Sequence, residues 1–130
     1  SYNGVSTGQD LSETRSEEQL IEDAAKAAAD ADVVLFFGGL NKDLHQDSES
    51  GDRTAYGLPY NQDNVIEALA AANPNLAVCI ISGNAVAMPW VAQVPAIVEC
   101  WYCGSQAGNS IADVVFGKVN PSGKLPFTFL

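Results

Sequence analysis

Apolar residues fall into short blocks along the chain, and the spacing inside each block predicts its element. Ser16, Glu17, Glu18 and Gln19 form a capping box, with Ser16 as N-cap and Gln19 at the third helical position. Leu20, Ile21, Ala24, Ala25 and Ala28 then recur at helical spacing, which predicts a helix ending near Ala31. Residues 33–37 (Val-Val-Leu-Phe-Phe) are too few for a helix and apolar on both faces, the pattern of a strand covered from both sides. Val65, Ile66, Leu69 and Ala70 mark a second helix. Asn73-Pro74-Asn75 ends it, since the residue before proline is pushed out of the α region. Residues 76–81 predict a second buried strand, stopped by Ser82-Gly83. Residues 84–91 are ambiguous, and Pro89 limits them to a short helical turn. Residues 96–102 predict a third strand. Gly104 and Ser105 open a third helix through Ile111, Val114 and Val115, with Gly117 as its stop. Residues 124–130 predict a last strand, which Pro126 places at an edge or a bulge.

This order of helices and strands implies βαβ crossovers and an α/β fold, a mostly parallel sheet flanked by helices on both faces. Residues 1–15 show no periodicity and read as a loop or linker, leaving 16–130 as one domain. The first element is a helix with no strand before it, so the domain is expected to be incomplete upstream.

The connection between the first strand and the second helix is unusually long. From Gly38-Gly39 to Val65 it carries Asp43, His45, Asp47, Glu49, Asp52 and Arg53. Connections are usually about 4–6 residues, and structureless ones beyond about 12–15 are usually functional or disordered. It leaves the carboxyl end of a predicted parallel strand, where open α/β sheets bind ligands.

Composition narrows the partners. The chain has 130 residues, 47% hydrophobic and 17% charged, which is globular and long enough for a real core. Six Lys and Arg stand against sixteen Asp and Glu, for a net charge of −10. Nucleic acid and an anionic membrane would both be repelled, whereas neutral ligands such as sugars are not. No apolar run approaches the roughly 20 residues of a membrane-spanning helix, and the polar amino end does not read as a signal peptide. Cys79 and Cys100 sit in apolar runs, where cysteine packs as a small hydrophobe. Cys100 and Cys103 match C-x-x-C, but the first falls in a predicted strand instead of at a helix N-terminus, so core packing is favoured over redox chemistry.

Motifs for dinucleotides, for P-loop phosphates and for a nucleophile elbow are missing from the sequence. Gly104-Ser-Gln-Ala-Gly108 opens a helix after a strand, and a tight turn explains it better than anion binding. His45 is the only histidine, and no serine has the setting of a His-activated nucleophile, so an exposed or ligand-contacting role is favoured. Asp47, Glu49 and Asp52 lack calcium-loop spacing. An acidic loop is often merely solvated. Its length, its place after a strand and an Asp52-Arg53 pair able to lock it point further, to a carboxylic acid that serves as general acid.

At the level of motifs, the chain resembles the C-terminal α/β-sandwich domain of family 3 glycoside hydrolases, the β-glucosidase and β-xylosidase group. The matching pieces include Ala31-Asp-Val-Val-Leu-Phe-Phe-Gly-Gly-Leu40, Glu49-Ser-Gly-Asp-Arg53 and Gly57-Leu-Pro-Tyr-Asn-Gln62. They continue with Ile81-Ser-Gly-Asn-Ala-Val-Ala-Met-Pro-Trp90, Trp101-Tyr-Cys-Gly-Ser-Gln-Ala-Gly108 and Ala112-Asp-Val-Val-Phe-Gly117. The most specific is Asn120-Pro-Ser-Gly-Lys-Leu-Pro-Phe-Thr-Phe129.

The resemblance implies an active site shared between two domains. A TIM-barrel domain of the same enzyme supplies an aspartate nucleophile, and this domain lends the loop with the acid/base carboxylate. Many members carry a Glu soon after the Gly-Leu pair, where Asn41-Lys42-Asp43 stands here. Glu49 matches the Glu of an E-G-x-D-R-like element, with Ser50 where Gly is common. The resemblance therefore ranks Glu49 first as acid/base, Asp47 second and Asp43 third, with His45 and Arg53 as substrate-binding residues. Asp52 and Arg53 also organise the loop. It implies a retaining β-glycosidase, most often a β-glucosidase, acting on an oligosaccharide or β-glycoside, with no metal or organic cofactor and a secreted or periplasmic location. The chain alone is expected to be inactive. The rival expectation is a non-catalytic, flavodoxin-like module that binds a small ligand with the same loop, since fold alone does not choose.

Overall fold

The first helix, α1 (Glu17–Ala29), starts where the capping box places it. Ser16 Oγ accepts from the Gln19 amide at 3.3 Å, and Gln19 Oε1 accepts from the Ser16 amide at 3.0 Å. In this computed structural model, which describes residues 13–42, 45–49 and 51–129, three strands and two further helices follow. They are β1 (Val34–Gly39), α2 (Gln62–Ala72), β2 (Leu76–Ile81), β3 (Ala96–Glu99) and α3 (Ala107–Val115). The expected linker at 1–15 lies almost wholly outside the described residues.

The sheet runs β1-β2-β3 and is parallel throughout, with Val34 opposite Leu76 and Ala77 opposite Ala96. Alternation along a strand sends neighbours to opposite faces. Val34, Phe36, Leu76, Val78, Ile80 and Ile97 belong to the main core, with Ala28 of α1 and Ile66 and Leu69 of α2. The helices α1 and α2 pack against each other, so both lie on that side. On the other face of β1, Leu35 and Phe37 remain 37% and 51% exposed.

Two polar contacts hold the helical layer. Asn73, buried at the end of α2, donates from Nδ2 to the carbonyls of Ala28 at 2.8 Å and Ala31 at 2.7 Å, and accepts from the Asn75 amide at 2.8 Å. It thereby ties the end of α2 to carbonyls at and just past the end of α1, where Ala28 also accepts from the Ala31 amide at 3.2 Å. Trp90 is fully buried, and its indole Nε1–H donates to Asp63 of α2 at 2.7 Å.

Some expectations shift. The strand predicted to reach Tyr102 stops at Glu99, because Trp101 takes φ 51°, a left-handed conformation that ends an extended run. Residues 124–129 form no strand. Proline offers the ladder no N–H at 126, and Phe127 and Phe129 instead set their rings edge-on to Trp101 at 5.8 and 6.1 Å. No helix forms over residues 84–90; a 3-10 turn follows instead at Val91–Gln93. A 3-10 turn at Gly104–Gln106 also precedes α3. The cysteines pack as expected: Cys79 and Cys100 are buried, all three are free, and desolvation pushes the Cys100 thiol up to about 12.

Candidate functional site

Because the strands are parallel, Gly39, Ile81 and Glu99 end on the same side of the sheet, and three connections meet there. The long loop first continues along β2, with the Leu40 amide donating to the Ile81 carbonyl at 2.9 Å. Gly39 has φ 137°, and an added Cβ would lie 2.0 Å from the Ile81 carbonyl oxygen, so only glycine passes this point. The loop then folds on itself. The Asp47 amide donates to the Asn41 carbonyl at 3.0 Å, the Asn41 amide donates to Gln46 Oε1 at 3.0 Å, and Ser48 and Gly51 form an antiparallel bridge. Its far end is tied down by Gln62. That amide accepts from the Gly39 N–H at 2.8 Å and donates to the carbonyls of Gly39 and Pro59, both at 2.9 Å.

The expected site residues fall in this loop in different settings. Glu49 is exposed at the tip of the bridged turn. Asp47 is half-buried, and its Oδ2 accepts from the Gly83 amide and the Tyr102 hydroxyl, each at 2.7 Å. Asp43 lies outside the described residues. His45 is exposed with φ 67°, and its Nδ1 lies 3.1 Å from the Asp52 carbonyl, a contact that needs the proton on Nδ1. Asp52 and Arg53 do not form the expected pair among the described residues. Arg53 instead donates to the Ala85 carbonyl and sits 5.4 Å from the centroid of the Tyr56 ring, so it locks the loop to the connection after β2. A backbone carbonyl 32 residues away was the better-placed acceptor.

Three residues outside the loop complete the arrangement. Glu99, at the end of β3, accepts through Oε1 from the Trp101 amide at 3.0 Å; the Ser82 hydroxyl, which donates to the Asn84 carbonyl at 2.8 Å, lies 3.3 Å from the same oxygen, and Oε2 is buried without a partner. Desolvation holds its carboxyl above the usual carboxylate range, and the Asp47 charge adds to this. Tyr102 is 52% exposed, and partial desolvation of its hydroxyl together with its bond to Asp47 shifts it above an ordinary tyrosine. Gly83 supplies the backbone donor. Sequence reasoning placed Glu99 and Tyr102 inside a strand; the available signal was a single carboxylate in the apolar run Ala96-Ile-Val-Glu-Cys100. A groove of about 620 Å³ beside the β1 edge is lined by Leu20, Ile21, Phe36, Phe37 and the base of the loop at Leu40 and Asn41, and neither Asp47 nor Glu49 lines it.

The geometry is that of an exposed carboxyl on a braced loop at the carboxyl ends of parallel strands. A family profile described as the glycosyl hydrolase family 3 C-terminal domain matches residues 2–130. The chain belongs to this family. Family 3 relatives include the β-glucosidase BoGH3A of Bacteroides ovatus, 53% identical over 112 residues, which cover 86% of this chain and 15% of that protein. The thermostable β-glucosidase B of Acetivibrio thermocellus is 43% identical over 113 residues, covering 87% of this chain and 15% of that protein. Among solved structures, the Kluyveromyces marxianus β-glucosidase matches with a TM-score of 0.82 at 36% identity, covering 87% of this chain and 14% of that one. DesR, a Streptomyces venezuelae β-glucosidase solved with D-glucose, matches with a TM-score of 0.76 at 37% identity, covering 83% and 13%. This family 3 domain thus spans about 15% of the length of the curated relatives named here.

Proposed function

We propose that this domain lends the acid/base loop to a retaining β-glucosidase whose aspartate nucleophile lies in a barrel domain of the same protein. The observation that carries the reading is the exposed Glu49 on a loop braced at the carboxyl ends of β1, β2 and β3, in a chain 53% identical to a β-glucosidase. In a double displacement, one carboxylate forms the glycosyl-enzyme intermediate while the other protonates the leaving oxygen and then activates water, with the pair about 5–5.5 Å apart. Glu49 takes the second role. Asp47 ranks below it because two donors already occupy Oδ2. Asp43 stays third. His45 and Arg53 lie in the same loop and contact the sugar. The substrate is a β-glycoside or oligosaccharide with a terminal β-linked glucose, no metal or organic cofactor takes part, and the whole enzyme works outside the cytoplasm.

Glu49→Gln in the full-length protein tests this. General acid–base catalysis is worth about 10²–10⁴-fold, so hydrolysis of substrates with poor leaving groups falls by about that factor. The loss is much smaller for intermediate formation from an activated aryl glucoside, and added azide partly restores its turnover because azide needs no general base. Equal loss on both substrate classes, with no effect of azide, would assign Glu49 to positioning instead.

A further inference from the structure

We infer that Asp47 is a positioning residue, whose carboxylate clamps the loop carrying Glu49 onto the ends of β2 and β3. The inference rests on the proposed role of Glu49. Its basis is the pair of 2.7 Å bonds that Asp47 Oδ2 receives, one from the Gly83 amide just after β2 and one from the Tyr102 hydroxyl just after β3. These contacts span 36 and 55 residues and tie three connections at a single oxygen. Asp47 stands two residues from Glu49, across the start of the bridged turn, so fixing one limits where the other can go.

Both donors are themselves held for the task. Gly83 leaves room for the clamp: a Cβ there would lie 3.1 Å from Asp47 Oδ2 and 2.9 Å from a Tyr102 ring carbon, so both side chains would have to shift. Tyr102 follows Trp101, whose left-handed backbone, at φ 51°, is strained for a bulky residue and needs outside support. Glu99 provides that support by accepting from the Trp101 amide at 3.0 Å, and Phe127 and Phe129 brace the Trp101 ring. Glu99 therefore acts on the loop at one remove, through the turn that delivers Tyr102.

The test compares Asp47→Asn, Asp47→Ala and Tyr102→Phe in the full-length protein, with Gly83→Ala as a variant that crowds the clamp and leaves both side chains in place. The assays use an aryl β-glucoside with a good leaving group and cellobiose with a poor one. An asparagine carbonyl oxygen in the place of Oδ2 still accepts from both the Gly83 amide and the Tyr102 hydroxyl, so Asp47→Asn stays within about threefold of wild type. Displacing a catalytic group by about 1 Å can cost about 10²-fold. Asp47→Ala therefore lowers kcat on cellobiose by up to that factor, with much less loss on the activated glucoside and KM little changed. Tyr102→Phe and Gly83→Ala show the same leaving-group dependence more weakly. Amide exchange across residues 45–53 rises in Asp47→Ala and Gly83→Ala. If Asp47→Asn is as damaging as Asp47→Ala and azide restores its turnover, Asp47 is the acid/base and the inference fails. It also fails if Asp47→Ala slows both substrates equally or neither. If the wild-type protein cleaves no β-glycoside, the proposed function fails instead; faster exchange in the variants then upholds the clamp, and unchanged exchange overturns it.

Discussion

Gln62 decides whether the long loop closes at its base, and the charge change Gln62→Glu probes it with almost no change in shape. The native amide makes three hydrogen bonds: it accepts from the Gly39 N–H and donates to the Gly39 and Pro59 carbonyls. The introduced carboxylate keeps the first and loses the other two, leaving two carbonyls facing a negative charge. Each lost bond is worth about 1 kcal/mol net, and a group left unsatisfied adds about 1–3 kcal/mol. Gln62 is part-buried, so water relieves some of this, and a cost of about 2–4 kcal/mol at pH 7 is expected. The pH dependence gives a second reading. Two carbonyls against one N–H raise the folded-state pKa of the new carboxyl above its unfolded value. Its contribution is then fully present below the unfolded value and lost as pH rises through the folded one. The deficit should therefore shrink at pH 4, where a protonated carboxyl donates one bond again. Urea unfolding at pH 4 and pH 7, followed by fluorescence of Trp90 and Trp101, measures both. A cost below about 0.5 kcal/mol at pH 7, or one that does not change with pH, would refute the three-bond account.

Two further outcomes are expected. Glu99→Gln should gain stability relative to wild type as pH rises, because a carboxyl held above the usual range contributes stability at low pH and loses it on ionising. Unfolding curves for the pair whose separation is the same at pH 4 and pH 8 would contradict this. Residues 1–130 alone should not hydrolyse aryl β-glucosides, since a double displacement needs both carboxylates. Turnover by the purified chain that is lost on mutating its own loop would overturn that expectation.

Much of the fold was legible because it depends on neighbours in sequence. The capping box at Ser16 and Gln19, the apolar run at residues 33–37 and the break at Asn73-Pro74 all act over a few residues; the helix boundaries lie where they were read, and the run forms the strand Val34–Gly39, with Leu35 and Phe37 exposed on its second face. What failed was also local in form but decided from a distance. An apolar run through Tyr102 scores as strand until Glu99 captures the Trp101 amide and turns the chain. The last apolar segment looks like a strand until Pro126 removes a donor and its phenylalanines meet Trp101.

The candidate site divides along the same line. That a loop after β1 carries the carboxylates follows from its length and from the parallel sheet, so Asp47, Glu49 and Arg53 could be nominated from sequence. Their roles could not be, because roles depend on partners 32, 36 and 55 residues away. In sequence, Asp47 and Glu49 are two acidic residues of one turn. In the fold, one is engaged by a glycine amide and a tyrosine hydroxyl, while the other is exposed. A general acid must keep a proton to give and a path to the leaving oxygen. An oxygen already accepting from two donors suits holding the loop, and an exposed carboxyl beside it suits the transfer. That division of labour, and not the count of acidic residues, makes the turn a candidate catalytic element.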